Sequence, residues 1–177
     1  MGTVASEFID LGCGFRKAEG YFGVDCHPFP GVDKVFDFDS GAWPLESDRF
    51  EKLRCIHVIE HISDTRNFLK EIHRICKNGA EVYFETPHFS WIDSWADPTH
   101  RWHFASSWYG PLTKGEYLSQ VVGEFELVKS VIEFGPSARS WLPRLIVALF
   151  GQATYERYYA FRYPARNVHT TLRVVKR

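Results

Sequence analysis

Three stretches of this chain carry residue types at spacings that can do chemistry. His57-Val58-Ile59-Glu60-His61 puts two imidazoles and a carboxylate close together. Asp97-Pro98-Thr99-His100-Arg101-Trp102-His103 sets an aspartate three residues before a histidine, with an arginine beside it. A histidine exchanges protons near neutral pH. A base must also lie near 3 Å from the proton it takes. His100 held by Asp97 is therefore the preferred base, with His88 and His103 as rivals. Arg101 can clamp an anionic group, and Trp91, Trp95, Trp102 and Trp108 can stack on a sugar or aromatic ring. The competing reading is a packed aromatic loop whose histidines are structural. The third stretch is Phe8-Ile9-Asp10-Leu11-Gly12-Cys13-Gly14, an apolar run followed at once by two glycines. Such a turn lets a ligand lie against main-chain N–H groups that hold a carboxylate or phosphate.

Two familiar readings fit poorly. The dinucleotide fingerprint G-x-G-x-x-G needs a third glycine where Lys17 stands. The spacing H-x-x-E-H matches an inverted zinc-protease signature, in which two histidines on one helix face bind zinc and the glutamate acts as base. That motif must lie within a helix. Here it straddles the end of an apparent strand, just before the Ser63/Asp64 helix cap. A zinc hydrolase using His57 and His61 stays as a competing enzyme class; otherwise no metal is expected.

The elements that must position these residues follow in order. A first strand ends at Leu11, a second covers Tyr21 to Asp25, and a third covers Val35 to Asp39. Phe50 to Val58 reads as a fourth strand. Phe68, Leu69, Ile72, Ile75 and Cys76 fall on one helical stripe, and Gly79 is expected to end that helix. Ala80 to Thr86 reads as a fifth strand, stopped by Pro87. Residues 88–111 are aromatic and histidine-rich without helical period. They follow the carboxyl end of the fifth strand, where α/β sheets bind substrates. A helix is expected over Leu112 to Val122, and strands over Phe125 to Phe134 and Asn167 to Arg177. Between those strands, at about 136–163, lies a helical insertion with the apolar run Trp141 to Phe150. A helix so apolar calls for burial on most faces: in the core, in a homodimer contact, or against a lipid surface.

Taken in order, the D-x-G-C-G turn, the strands ending in Asp25 and Asp37, and the Val58-Ile59-Glu60-His61 segment resemble class I S-adenosylmethionine-dependent methyltransferases, in particular small bacterial enzymes with these two segments. The resemblance covers about residues 7–90 closely and the last strand loosely. It implies an α/β, Rossmann-like fold: a mostly parallel seven-stranded sheet with an antiparallel edge hairpin, as a single domain over 1–177 with a substrate loop at 88–111. It implies S-adenosylmethionine as cofactor. Asp10, Gly12, Cys13 and Gly14 would form the turn beside it, and Asp25 with Cys26 would hold the ribose. Asp37 and the Phe38 N–H would meet the adenine, and His57, Val58 and His61 would line the methionyl end. The implied activity is methyl transfer, at oxygen, to a small molecule or glycan. A non-catalytic cofactor-binding or partner protein on the same fold is the alternative.

Two features depart from that pattern. Relatives usually carry helices ahead of the first strand, so the site here is expected to be more open, covered by a partner, or completed by a missing segment. Only nine residues, Gly12 to Gly20, separate the first two strands. Parallel strands normally need a dozen or more, so a turn or loop replaces the crossover helix. That disfavours a nucleotide pyrophosphate, which needs a helix N-terminus, more than it disfavours S-adenosylmethionine.

Composition narrows the class. The 177 residues are 45% hydrophobic with a formal charge of −1, which sets aside disorder and bulk attraction to nucleic acid. Nucleobase amino-methylation also lacks its D/N/S-P-P-aromatic motif after the fourth strand. The four cysteines are scattered and read as free thiols of a cytoplasmic protein. No run reaches the length of a membrane span.

Overall fold

The computed structural model describes residues 6–136 and 140–177. Its centre is a seven-stranded sheet in the order β3-β2-β1-β4-β5-β7-β6. Strands β1 (Phe8–Leu11), β2 (Phe22–Asp25), β3 (Lys34–Val35), β4 (Phe50–Ile56) and β5 (Cys76–Pro87) run parallel. β7 (Asn167–Val175) lies antiparallel to both β5 and β6 (Glu124–Glu133). The expected mostly parallel sheet with an antiparallel hairpin at one edge is thus present.

Why the core lies where it does follows from strand alternation. Leu53 and Cys55 on β4, and Val82 and Phe84 on β5, are buried on one face. Helix α1 (Thr65–Ile75) packs there through Phe68, Leu69, Ile72 and Ile75. Asp64 caps α1 by accepting the Arg66 and Asn67 N–H groups. Glu71 is buried on the same helix. It accepts the Trp43 N–H at 2.7 Å and Arg74 at 2.7 Å. Arg74 also donates to the carbonyls of Trp43 and Leu45, which pins the 43–47 loop to α1. Burial raises the Glu71 pKa, but Arg74 and the Trp43 N–H outweigh it and the net shift is downward.

The other face of the sheet is polar. Lys52, Arg54, Glu81, Tyr83 and Thr171 border a shallow depression of about 430 Å³ there. The Tyr83 hydroxyl meets His169 Nδ1 at 2.7 Å, and His169 Nε2 reaches Glu133 at 3.2 Å.

Several boundaries differ from the sequence expectation. The β1–β2 connection is a series of turns with no helix, as its length required. β3 stops at Val35, two residues before Asp37, because Phe38 turns inward against Trp43 and Phe68. β4 stops at Ile56 because His57 adopts a left-handed backbone, φ 52°. Gly79 does not end α1. The helix passes directly into β5 at Cys76, and Gly79 (φ 82°) sits where the β4–β5 register shifts between Phe50 and Lys52. The helix expected over 112–122 is shorter: Gly115 turns the chain and α3 covers Tyr117–Val122.

Residues 88–111 are largely irregular, with one short helix, α2 (Asp93–Ala96). In the insertion, α4 (Trp141–Phe150) and α5 (Gln152–Tyr158) build a separate small cluster with Phe134, Ile146, Tyr155, Ala160 and Ala165. The core-packing expectation for α4 is corrected. Only Pro143 and Ile146 of α4 are buried, whereas Trp141, Leu149 and Phe150 are exposed, because the helix meets the end of the sheet along one stripe. No helix among the described residues is long and apolar enough to cross a membrane.

Candidate functional site

The glycine turn after β1 is built by close approach. Gly12 has φ +66° and lies so near Val58 that an added Cβ would stand 2.2 Å from Val58 Cγ2. Its N–H and that of Cys13 both donate to the Val24 carbonyl, at 2.8 and 3.2 Å. Gly14 also has a left-handed backbone, but a Cβ there would meet nothing within 4 Å. One glycine therefore locks the turn onto the segment after β4, and the other opens onto free space.

Asp25 closes β2 beside that space. Its carboxylate accepts the Gly14 N–H at 2.9 Å and the His27 N–H at 3.0 Å. Cys26 is exposed and its thiol lies 3.1 Å from His27 Nδ1. Asp37 is exposed, and its Oδ1 accepts the Asp39 N–H at 2.9 Å. Phe38 is buried among Phe36, Trp43 and Phe68. Asp39 reaches across to the Ser63 and Asp64 N–H groups at the start of α1.

Two residues of the turn, Asp10 and Cys13, are buried within it. Asp10 is 2% exposed. Its carboxylate accepts the Ala18 N–H at 2.9 Å and lies 3.2 Å from Arg54 Nε. It braces the turn. Burial raises its pKa against the pull of Ala18 and Arg54. The Cys13 side chain is also buried, packed against Gly23. Burial and the nearby Asp10 push its thiol up to about 11, so it is no nucleophile at neutral pH.

A cleft of about 520 Å³ opens at the carboxyl ends of β4 and β5, lined by His57, His61, Asp97, His100 and Arg166 among others. Here the structure brings together residues far apart in sequence. His61 and His100 meet edge to face with ring centroids 4.6 Å apart. His61 Nδ1 lies 2.8 Å from the Thr99 hydroxyl, which donates to Asp97 at 2.6 Å. Asp97 also accepts the Thr99 N–H, and the two bonds hold its pKa below the usual carboxylate range. His100 Nδ1 is 3.2 Å from the Ser94 carbonyl, and its Nε2 is 4.0 Å from Asp97. His57 Nδ1 bonds the buried Glu60 at 3.2 Å. That bond raises the His57 pKa against its burial, aided by the charges of Glu60 and Glu85.

Three expectations are corrected by this geometry. His88 is fully buried, with Nδ1 on the Ser90 hydroxyl at 2.8 Å and Nε2 on Glu156 at 3.1 Å. It ties the 88–111 segment to α5 and does not line the cleft. His103 stacks on Trp95 at 3.6 Å and bonds Ser94. The zinc-hydrolase arrangement fails because residues 57–61 form no α-helix. His57 has a positive φ, and Ile59–His61 is a single 3₁₀ turn. The nearness of Glu60 to both His61 and His100 was not anticipated from the sequence, where Glu60 figured as the base of the zinc alternative. The only signal was an acid beside a histidine, which is common on surfaces.

The fit to the expected cofactor can be judged on these residues. Gly14 leaves room that a side chain would fill, Asp25 sits at its edge, and Val58 joins the turn to the cleft. Gly12→Ala is expected to destabilise the fold by about 2–5 kcal/mol, from left-handed strain of roughly 1–2 and overlap of about 1–3 kcal/mol. Adding Val58→Ala is expected to recover the overlap but not the strain. A double-mutant cycle by denaturant unfolding checks this, and additive effects would refute the contact.

The strand order, the glycine turn after β1 and the acid closing β2 define a class I S-adenosylmethionine-dependent methyltransferase fold. The chain belongs to the methyltransferase domain family, whose pattern it matches over residues 3–120. Solved structures agree in fold. A SAM-dependent methyltransferase from Archaeoglobus fulgidus shares 16% identity at a TM-score of 0.64, over 94% of this chain and 85% of that one. The YcgJ protein of Bacillus subtilis shares 14% at 0.62, over 96% and 92%. Phosphoethanolamine N-methyltransferase 2 of Haemonchus contortus, in complex with S-adenosyl-L-methionine, shares 14% at 0.56, over 96% and 48%. A comparison with curated protein sequences finds no significant match.

Proposed function

We propose that this protein transfers a methyl group from S-adenosylmethionine to a hydroxyl of a small molecule or glycan bound in the histidine-lined cleft. The observation that carries the reading is the contact of Gly12 with Val58. It sets the cofactor turn one residue from His57, which lines the cleft. When bound, the cofactor supplies an electrophilic methyl group on a sulfonium sulfur. Asp25 receives the ribose hydroxyls, and Gly14 leaves the room for them. Asp37 and the Phe38 backbone are assigned to the adenine. The protein's remaining task is to hold the acceptor oxygen in line and remove its proton. His61 and His100 serve that task, oriented by Thr99, Asp97 and Ser94. Trp95 and Trp102 are exposed close to this segment and offer faces to a sugar or aromatic ring.

Calorimetric titration of the purified chain with S-adenosylhomocysteine tests the cofactor half. Binding in the micromolar range is expected. A chain that takes up no ligand at millimolar concentration is not a working methyltransferase by itself, and the non-catalytic partner reading then replaces this one. Asp25 and Asp37 already accept local N–H groups, which is the observation that favours that second reading.

A further inference from the structure

We propose that Glu60, His61 and His100 form a divalent-cation site that binds and activates the acceptor oxygen. This rests on the methyl-transfer reading of the cleft. One nitrogen of each ring and a carboxylate oxygen of Glu60 lie within 4.8 Å of one another. Ligands around one ion at bond lengths near 2.1 Å lie at most about 4.2 Å apart. At a tetrahedral angle they lie about 3.4 Å apart, so closure brings the widest pair together by roughly 1–1.5 Å, within reach of side-chain rotation.

The hydrogen bonds around the three residues favour ligation. His100 Nδ1 faces the Ser94 carbonyl, which can only accept, so Nδ1 carries the proton and Nε2 keeps its lone pair. The Thr99 hydroxyl gives its proton to Asp97, so it accepts from His61 Nδ1–H and leaves His61 Nε2 free as well. Metal-binding histidines are commonly held through the other ring nitrogen in this way. Glu60 supplies a second, independent observation. It is 1% exposed, and while Oε1 takes His57, Oε2 is a buried oxygen with no hydrogen-bond partner. A buried carboxylate oxygen left unpaired is costly, and a cation removes that cost. Asp97 Oδ2, 4.0 Å from His100 Nε2, is within reach as a fourth ligand.

Two imidazoles and a carboxylate suit a first-row divalent ion more than Mg²⁺ or Ca²⁺, and a three- or four-ligand set leaves positions open. One open position takes an oxygen of the acceptor, so the acceptor class is a small hydroxylated molecule. With both rings bound through Nε2, His61 and His100 act on the proton through the cation: the bound oxygen loses it to water at neutral pH. That oxygen then forms a bond to the methyl carbon as the carbon–sulfur bond breaks. The bonding pair returns to sulfur, giving the neutral thioether and a methyl ether. His57 is not a ligand here, and no water is activated for hydrolysis.

The test is calorimetric titration of the full chain with Co²⁺ after EDTA treatment, read together with visible absorption. One equivalent at micromolar affinity or tighter, with a Co²⁺ d–d band, is expected. Glu60→Gln and His100→Ala should each weaken binding at least thirtyfold and remove the band, while His103→Ala should change neither. Circular dichroism checks that each variant folds; His61→Gln replaces any that does not. No stoichiometric binding at 1 mM Co²⁺, or affinity equal in wild type and the ligand variants, overturns the site. S-adenosylhomocysteine is titrated in parallel. Nucleoside binding without Co²⁺ binding defeats the cation site and leaves the methyltransferase reading standing. Co²⁺ binding without nucleoside binding does the reverse.

Discussion

Asp25→Ala is expected to weaken S-adenosylhomocysteine binding by about a hundredfold or more. Each Asp25 oxygen accepts one backbone N–H, from Gly14 or His27, and a carboxylate oxygen has a further lone pair to offer. Two ribose hydroxyls can therefore donate to a carboxylate already fixed in place. Hydrogen bonds to a charged group contribute about 1.5–3 kcal/mol each, so losing two removes at least ~3 kcal/mol, about a hundredfold in affinity. The substitution also strands the Gly14 and His27 N–H groups and so loosens the turn. Asp25→Asn separates the two effects. Its amide oxygen still accepts one N–H, but the NH₂ group repels the other and presents no charge to the ribose. Calorimetry on both variants, with thermal melting to show that they fold, decides the matter. Unchanged affinity in a folded Asp25→Ala protein would remove the ribose role and move the cofactor elsewhere on the sheet.

Asp25 was legible in the sequence for a local reason. It follows a short apolar run and stands at a strand end, so its place depends on a handful of neighbours. The same holds for Gly12 and Gly14, whose left-handed backbones are a property of the turn itself. The mostly parallel sheet with its antiparallel edge hairpin could be anticipated because the run of strands matched a known ordered set. What sequence could not give was contact across long separations. Asp97 and His100 were paired by proximity in the chain, yet the structure hands the closer Asp97 bond to Thr99 and sets His100 against His61. His88 looked available, but Ser90 takes its Nδ1 and Glu156, on α5, takes its Nε2. Asp10 sat inside the glycine motif, but Arg54 on the neighbouring strand draws its carboxylate into the sheet. Gly79 carried a helix-stop signal that the β4–β5 bulge used instead. Most of these misses share a cause: the partner, Glu156 for His88, Arg54 for Asp10 and His61 for His100, comes from an element tens of residues away.

Phe68→Ala is expected to cost about 3–5 kcal/mol of folding stability, the range for truncating a buried aromatic. At ~2–4 °C per kcal/mol for a chain of this size, the melting midpoint falls by about 6–20 °C. Phe68 is fully buried in the first turns of α1 and meets the edges of Phe38 at 5.9 Å and Trp43 at 5.3 Å. It thus joins the helix that covers the sheet to the segment assigned to the adenine. Phe68→Leu, which fills most of the space, should lose less than half as much. The consequence for function follows from the same contact. With Phe68 gone, Phe38 can tilt into the cavity and carry its backbone N–H away from the adenine. S-adenosylhomocysteine affinity should then fall several-fold, although residue 68 touches no ligand. A lower melting midpoint with unchanged affinity would show that the aromatic cluster supports the fold alone and that Phe38 has no part in holding the base.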